Sequence, residues 1–274
     1  MPAEIRHLAI VSEKYALAGK FYEAMFGMRT STRARPGRAV SVGDGYLGLN
    51  INPRAIGRPA RFDHFGVQVD DAERTFDHIG RTYPTVTWLK RPASRPFAGV
   101  TTHDPDGNVF DISQKRMTNR TDVYADEGEL HPRHVDHFAM RTMNPAAMAD
   151  FYAGVFGFER IASANGDSNR YLSDGHLTMV IMPWAITDFD GTGIVSPSMD
   201  HFGFRVENLA AFIADVALVA GGNPFLATST MQAGPEAETR IALAQRSCPH
   251  CTHVLVDIDG ILISASERPT RAAR

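Results

Sequence analysis

The segment Arg6-His7-Leu8-Ala9-Ile10 returns 130 residues later as Asp136-His137-Phe138-Ala139-Met140, and the same offset carries Phe21-Tyr22 onto Phe151-Tyr152, Phe26-Gly27 onto Phe156-Gly157 and Asp44-Gly45 onto Asp174-Gly175. A register held without a gap over about forty residues marks an internal repeat, and a repeat restricts the fold to architectures assembled from copies of one unit. A shorter echo lies within each half. Asp63-His64-Phe65-Gly66-Val67 opens a second unit that closes at Asp106-Gly107, and Asp200-His201-Phe202-Gly203-Phe204 opens a fourth that closes at Asp259-Gly260. Four units result, each running from a histidine to an Asp-Gly pair.

Alternating polarity at the start of each unit predicts a strand, because period-two patterning sends successive side chains to opposite faces. His7, Ala9 and Val11 share one face and Leu8 and Ile10 the other; His64, Gly66 and Gln68 oppose Phe65, Val67 and Val69; His201, Gly203 and Arg205 oppose Phe202, Phe204 and Val206. One face packs on an apolar layer and the other looks into a cleft. A helix follows over Lys14 to Phe26, with Gly27 as its C-cap, and its counterpart over Pro145 to Phe156 is opened by Asn144 as N-cap and Pro145 at the first helical position. The aromatic pairs Phe21-Tyr22 and Phe151-Tyr152 are read as packing between helix and sheet. Short β-rich segments then end in a hairpin turning at Asp-Gly. Each unit is therefore β-α-β-β-β.

The fold class is α+β: four such modules forming two domains with cupped mixed sheets. The N-terminal domain spans 1–114 (modules 1–60 and 61–114), a polar aperiodic linker 115–134, and the C-terminal domain 135–274 (modules 135–197 and 198–274). From His201 to Asp259 is 58 residues, against 42 from His64 to Asp106, so module four carries an insertion near Ala227 to Cys251, suited to a lid or a partner surface. The Arg-rich end, Arg268 to Arg274, reads as a solvated tail.

Composition excludes several function classes. Lys plus Arg is 28 against 31 Asp plus Glu, a formal charge of −3, so no basic surface suggests nucleic acid as a partner. Leu177 to Ile186, the longest apolar stretch, is too short to span a bilayer, and residues 1–20 carry charge throughout, so the expectation is a cytoplasmic protein without membrane association. Its two cysteines, Cys248 and Cys251, form no disulfide framework.

Four β-α-β-β-β units, each with a strand-one histidine, with Phe-Tyr in the helices of units one and three and Asp-Pro-Asp-Gly-Asn or a similar run in the last hairpin, resemble the vicinal oxygen chelate superfamily. That family includes glyoxalase I, methylmalonyl-CoA epimerase, fosfomycin resistance enzymes, bleomycin-binding proteins and extradiol dioxygenases. The resemblance covers nearly the whole chain and implies that two units form one domain whose cup holds a divalent metal. Family ligands come from strand one and from the last strand of each unit, four residues after the hairpin glycine. On this sequence those positions are His7, Leu49, His64 and Asp111 in the first domain, and His137, Met179, His201 and Ser264 in the second.

Only the first domain offers two imidazoles and a carboxylate, so His7, His64 and Asp111 are the expected metal ligands. A 2-His-1-carboxylate face leaves positions open on a divalent ion for oxygen or for a substrate with adjacent oxygens. Fe(II) is the first choice, with Mn, Ni, Co or Zn as alternatives. The family usually has Glu where this chain has Asp111, shorter by about 1.5 Å. Two-domain extradiol dioxygenases keep their metal in the second half, where this chain has Ser264. Gln68 is expected to contact substrate or orient a ligand, and His103, just before the second hairpin, is a candidate acid or base.

In the second domain His137, Arg141, His201 and Arg205 are expected to share cleft-facing positions, where paired guanidiniums would bind a carboxylate or phosphate. The segment Cys248-Pro249-His250-Cys251-Thr252-His253 contains a C-x-x-C, half of a zinc site, but no matching cysteine pair exists and it is read as an exposed inserted loop. The leading expectation is a metal-dependent enzyme acting on a small molecule with adjacent oxygens, in its narrower form a ring-cleaving dioxygenase. The alternatives are a glyoxalase-like lyase or isomerase, a metal-free small-molecule binding or resistance protein, and a regulatory module that binds a partner through the inserted loop. Homo-oligomers are compatible with any of these.

Overall fold

A computed structural model describes residues 3–31, 39–92, 97–116, 131–228, 234 and 236–267. Unit one is β1 (Glu4–Ser12), α1 (Tyr15–Phe26), β2 (Arg29–Thr30), β3 (Val40–Gly43) and β4 (Gly48–Pro53). Unit two is β5 (Arg61–Val69), α2 (Ala72–Thr82), β6 (Trp88–Lys90), β7 (Val100–His103) and β8 (Val109–Gln114). Together they make one eight-stranded sheet in the order β2-β3-β4-β1-β5-β8-β7-β6. In each unit the first strand pairs in parallel with the last, β1 with β4 and β5 with β8, and the two units join through the antiparallel pair β1 and β5.

Unit three repeats the pattern with β9 (His134–Thr142), α3 (Pro145–Phe156), β10 (Glu159–Ile161), β11 (Arg170–Ser173) and β12 (Thr178–Pro183). Unit four departs from it. After β13 (Ser198–Val206) and α4 (Leu209–Gly222) comes a further helix, α5 (Ala237–Ser247), and then β14 (His253–Val256) and β15 (Leu262–Glu267). The second sheet therefore has seven strands among the described residues, β10-β11-β12-β9-β13-β15-β14, and α5 stands where unit two has its β6 edge strand. The insertion expected near Ala227 to Cys251 is this helix and its flanks. Most of the linker expected at 115–134 and the whole Arg-rich end lie outside the described residues.

Local chemistry explains the helix ends. Asn144 accepts from the Ala147 N–H at 3.0 Å and Pro145 opens α3. Gly27 and Gly157 end α1 and α3 in the left-handed region, at φ of 69° and 70°, which a Cβ disfavours. No helix among the described residues is long and apolar enough to cross a membrane.

The two sheets share one apolar core, because residues of both belong to a single buried cluster, including Leu8, Phe65, Phe110, Phe138, Phe202 and Phe204. Helix α1 of unit one packs on unit four, with the ring of Phe26 stacked at 3.7 Å on Phe204, and α3 of unit three packs on unit two, with Tyr152 against Phe65 and Phe110. The aromatic pairs of these helices therefore join the halves to each other.

Aspartates of the turns, four of them buried, complete that joint by pseudo-twofold exchange. Asp44 accepts from the Val135 N–H at 2.9 Å and Asp174 from the Ile5 N–H at 2.6 Å. Tyr22 donates to Asp257 at 3.0 Å and Tyr152 to Asp104 at 2.8 Å. Ser12 donates to Asp259, and Thr142 to Asp106. Each half thus satisfies the buried polar groups of the other.

Candidate metal centre

Strand register sets the geometry of both cups. His7 on β1, Gly66 on β5 and Asp111 on β8 lie in one row, as do His137 on β9, Gly203 on β13 and Ser264 on β15. Glycine in the middle of each row leaves space for the groups on either side. A Cβ on Gly66 would lie 2.5 Å from the Phe97 ring, and one on Gly203 would lie 1.9 Å from His137 Cε1 and 2.3 Å from Ser264 Oγ.

A second feature of register brings in residues that alternation alone assigns to the wrong face. β1 and β5, and likewise β9 and β13, are interrupted by bulges that place Asp63, Asp136 and Asp200 out of regular pairing. A bulge adds a residue to one strand and re-aims its side chain. Each aspartate consequently hydrogen-bonds the histidine that follows it: Asp63 to His64 Nδ1 at 2.9 Å, Asp136 to His137 Nδ1 at 2.6 Å, and Asp200 to His201 Nδ1 at 2.6 Å. With Nδ1 held by a carboxylate, each ring directs Nε2 into the cup, where a metal ion would take the place of its proton. The sequence signal was the thrice-repeated Asp-His-Phe; the bulge gives it meaning.

In the first cup His7, His64 and Asp111 each place one donor atom within 4.8 Å of the others. His64 Nε2 lies 3.2 Å from Asp111 Oδ2, and the other carboxylate oxygen of Asp111 accepts from Thr101 Oγ1 at 2.5 Å. Phe97, buried and at φ 64°, stacks on His7 with ring centroids 4.7 Å apart. Burial disfavours the imidazolium of His64, but the carboxylates of Asp111 and Asp63 outweigh it and raise the group to about 9. Burial works against the charge of Asp111 as well, and the neighbouring imidazoles of His64 and His7 nonetheless hold it below the usual carboxylate range.

The donor set fits a divalent cation: two imidazoles with one nitrogen each committed to the set and one carboxylate whose second oxygen is already braced, mostly buried. Leu49 is not part of it. It is fully buried in the apolar core, paired with Leu8, and Asn50 takes the cup-side place in β4, accepting from Ser41. Met179 is likewise a core residue.

Gln68 lies one row beyond Gly66, opposite Glu4 and Ser113. His103 is not in the cluster. Its Nε2 accepts from the Thr87 N–H at 3.1 Å and its Nδ1 donates to the Asp104 carbonyl at 2.8 Å, so both nitrogens are used in joining β7 to the segment before β6.

The second cup corrects the expectation of an open, cationic cleft. Arg141 is buried and donates to Asp200 at 2.6 Å and to Ser247 at 3.1 Å, and Arg205 donates to Asp136 at 2.9 Å. These guanidiniums brace the carboxylates behind His201 and His137; they do not reach for an anion. The cup itself is filled by α5 and the turn after it, where Ala244, Cys248 and Cys251 pack on Ala139, Val180 and Met182 in an apolar cluster separate from the main core. Cys248 and Cys251, expected on an exposed loop, are 1% and 5% exposed and converge with His137 and His201. Burial favours the thiol, yet hydrogen bonds from Cys251 and from the two imidazoles hold Cys248 well below its ordinary value.

The family description "Glyoxalase/Bleomycin resistance protein/Dioxygenase superfamily" matches residues 4–112 and 134–228. No curated protein sequence matches significantly. Among solved structures, the Mn(II)-bound glyoxalase from Novosphingobium aromaticivorans superposes with a TM-score of 0.64 at 13% identity, over 96% of this chain and 81% of that one. The 2,3-dioxygenase LapB from Pseudomonas sp. KL28 does so with 0.61 at 16% identity, over 99% and 95%. A variant of 4-hydroxymandelate synthase from Streptomyces coelicolor gives 0.64 at 15% identity, over 100% and 94%. These are likenesses of fold. With a family match on both halves and one repeat architecture throughout, the chain belongs to the Glyoxalase/Bleomycin resistance protein/Dioxygenase superfamily.

Proposed function

We infer that the N-terminal cup is the reacting centre of a metal-dependent enzyme acting on a small molecule with adjacent oxygens, in its narrower form a ring-cleaving dioxygenase that uses Fe(II). The observation that carries this reading is the convergence of His7, His64 and Asp111, a group of three His or carboxylate donors among the described residues, with Leu49 turned into the core. Three ligands on one face leave open positions, the arrangement of 2-His-1-carboxylate oxygenases. When bound, the ion supplies Lewis acidity toward two adjacent substrate oxygens and a place for oxygen.

The chain's own residues do the rest. Asp63 holds His64 Nδ1 and so orients the ring, and Arg61 in turn holds Asp63 at 2.7 Å. Thr101 holds one oxygen of Asp111, so the other stays directed at the cluster. Phe97 covers His7 and keeps water from that side. His64, partly exposed, marks the side from which substrate enters. Such preorganisation orients donors before the substrate arrives, so no reorganisation is needed at the reacting moment.

The test is elemental analysis of anaerobically purified protein beside folded His64→Ala and Asp111→Ala variants, followed by oxygen uptake with catechols. One equivalent of a divalent ion that disappears in both variants is the expected result, with oxygen consumption when the ion is Fe(II). Metal content identical in the variants and the parent would sink the reading. A Mn, Ni, Co or Zn ion that is lost in both variants, with no oxygen uptake by the parent, would replace the dioxygenase with a lyase or isomerase.

A further inference from the structure

We propose that the C-terminal cup is a second metal site of different chemistry, a closed tetrahedral zinc-type centre built by His137, His201, Cys248 and Cys251. Donor atoms of the four residues all lie within 4.8 Å of one another, and all four are buried. Metal–nitrogen and metal–sulfur lengths of about 2.0 to 2.3 Å imply edges of about 3.3 to 3.8 Å in a tetrahedron, so small side-chain movements complete it. Cys251 Sγ already stands 3.1 Å from His201 Nε2.

Three further features single out a cation. Both imidazoles direct Nε2 inward because Asp136 and Asp200 take their Nδ1 protons, and each carboxylate is itself held by an arginine, Arg205 or Arg141. Carboxylate–histidine pairs of this kind are the usual outer support of a metal-bound imidazole. The C-x-x-C turn is shaped for two thiolates on one ion: Cys248 caps α5, and the Cys251 N–H bonds the Cys248 carbonyl at 3.0 Å. Finally, Ser264 replaces the carboxylate that Asp111 contributes to the first cup. Two thiolates and two neutral imidazoles balance a dication, whereas an added carboxylate would leave a buried net charge.

Four protein ligands leave no open position, so this site is structural. It pins α5 into the second cup and closes it. The missing half of the C-x-x-C motif is thus supplied by strand-one histidines of units three and four.

Cobalt(II) loading of the reduced, metal-stripped full-length chain tests this directly. Tetrahedral thiolate ligation is expected to give intense visible bands and a thiolate-to-cobalt charge-transfer band, titrating to one equivalent and persisting in Asp111→Ala. Loss of that band in Cys251→Ser, with retention in His250→Ala, whose ring lies 4.8 Å from His137 outside the four donors, completes the assignment. Nitrogen and oxygen ligation in the first cup gives no such band, so the two sites report separately. Absence of the band in the unmutated chain, or reaction of both thiols with a disulfide reagent at the same rate with and without metal, would overturn the proposal.

Discussion

The two cups are built on the same rows of strands, yet one is three-donor and reachable while the other is four-donor and closed. His7, Gly66 and Asp111 correspond to His137, Gly203 and Ser264, and the aspartate before the histidine recurs in both. The difference lies in one carboxylate and one inserted helix. Where the last strand offers Asp111, the cup keeps a charged ligand and an accessible imidazole. Where it offers Ser264, α5 brings two cysteines in and covers the cup with apolar side chains. On the same scaffold, one cup is packed by an inserted helix while the other keeps a partly exposed imidazole beside its carboxylate.

The strongest way to break this comparison is at the paired glycines. In Gly203→Ala the new methyl meets His137 and Ser264 with no room to give, so a loss of about 3 kcal/mol or more in urea unfolding is expected, together with loss of the second metal. Gly66→Ala meets the Phe97 ring at 2.5 Å and His7 Cβ at 3.1 Å, a less severe overlap than at Gly203, and the expected loss is about 1 kcal/mol with the first metal retained. Equal losses would show that the cups are equally packed.

The joint between the halves offers a pH test. Burial pushes the Asp257 carboxyl up to about 6, outweighing the hydrogen bonds it accepts from the Ile261 and Asp259 N–H groups and from Tyr22. Against about 3.9 in an unfolded chain, the native state holds this proton through a window in which the unfolded state has released it. Stability therefore falls as pH rises from about 4 to about 6, by up to about 3 kcal/mol. Asp257→Asn cannot titrate, so the stability of the parent minus that of the variant should drop by that amount across the window and stay flat on either side. A pH-independent difference would mean that Asp257 ionises as an ordinary carboxylate.

The smallest effect sharpens the account of the first cup. Asp63→Ala removes the carboxylate behind His64 and is expected to weaken metal there about 10- to 100-fold in chelator competition, leaving the second cup's metal unchanged. Unaltered affinity would show that Asp63 serves only the ion pair with Arg61.

Much of this was legible from the chain alone. The repeat gave the number of units, the Asp-Gly turns their ends, and Asn144, Pro145, Gly27 and Gly157 the helix boundaries, because turns and caps are decided by residues close in sequence. His7, His64 and Asp111 were named through the family resemblance, by the positions in which the repeat places them, and the structure brings their donor atoms together. The roles of Asp63, Asp136 and Asp200 were not legible in the sequence, since the bulge that re-aims each one is an extra residue in one strand that shows only against its partner.

Long-range packing decided what remained. The Phe-Tyr pairs join the halves because each helix crosses to the opposite sheet, and nothing local to Tyr22 names Asp257 as its partner. Cys248 and Cys251 read as an exposed loop because a C-x-x-C carries no record of what completes it. That is fixed when α5 folds into the cup, and Arg205 and Arg141 brace Asp136 and Asp200 because those buried carboxylates need a charged partner. The sequence by itself determined the repeated unit, and through the family resemblance it nominated the three donors of the first cup. Only the tertiary structure decided that the second cup is filled, and by which residues, because that depends on which distant surfaces meet when the shared core forms.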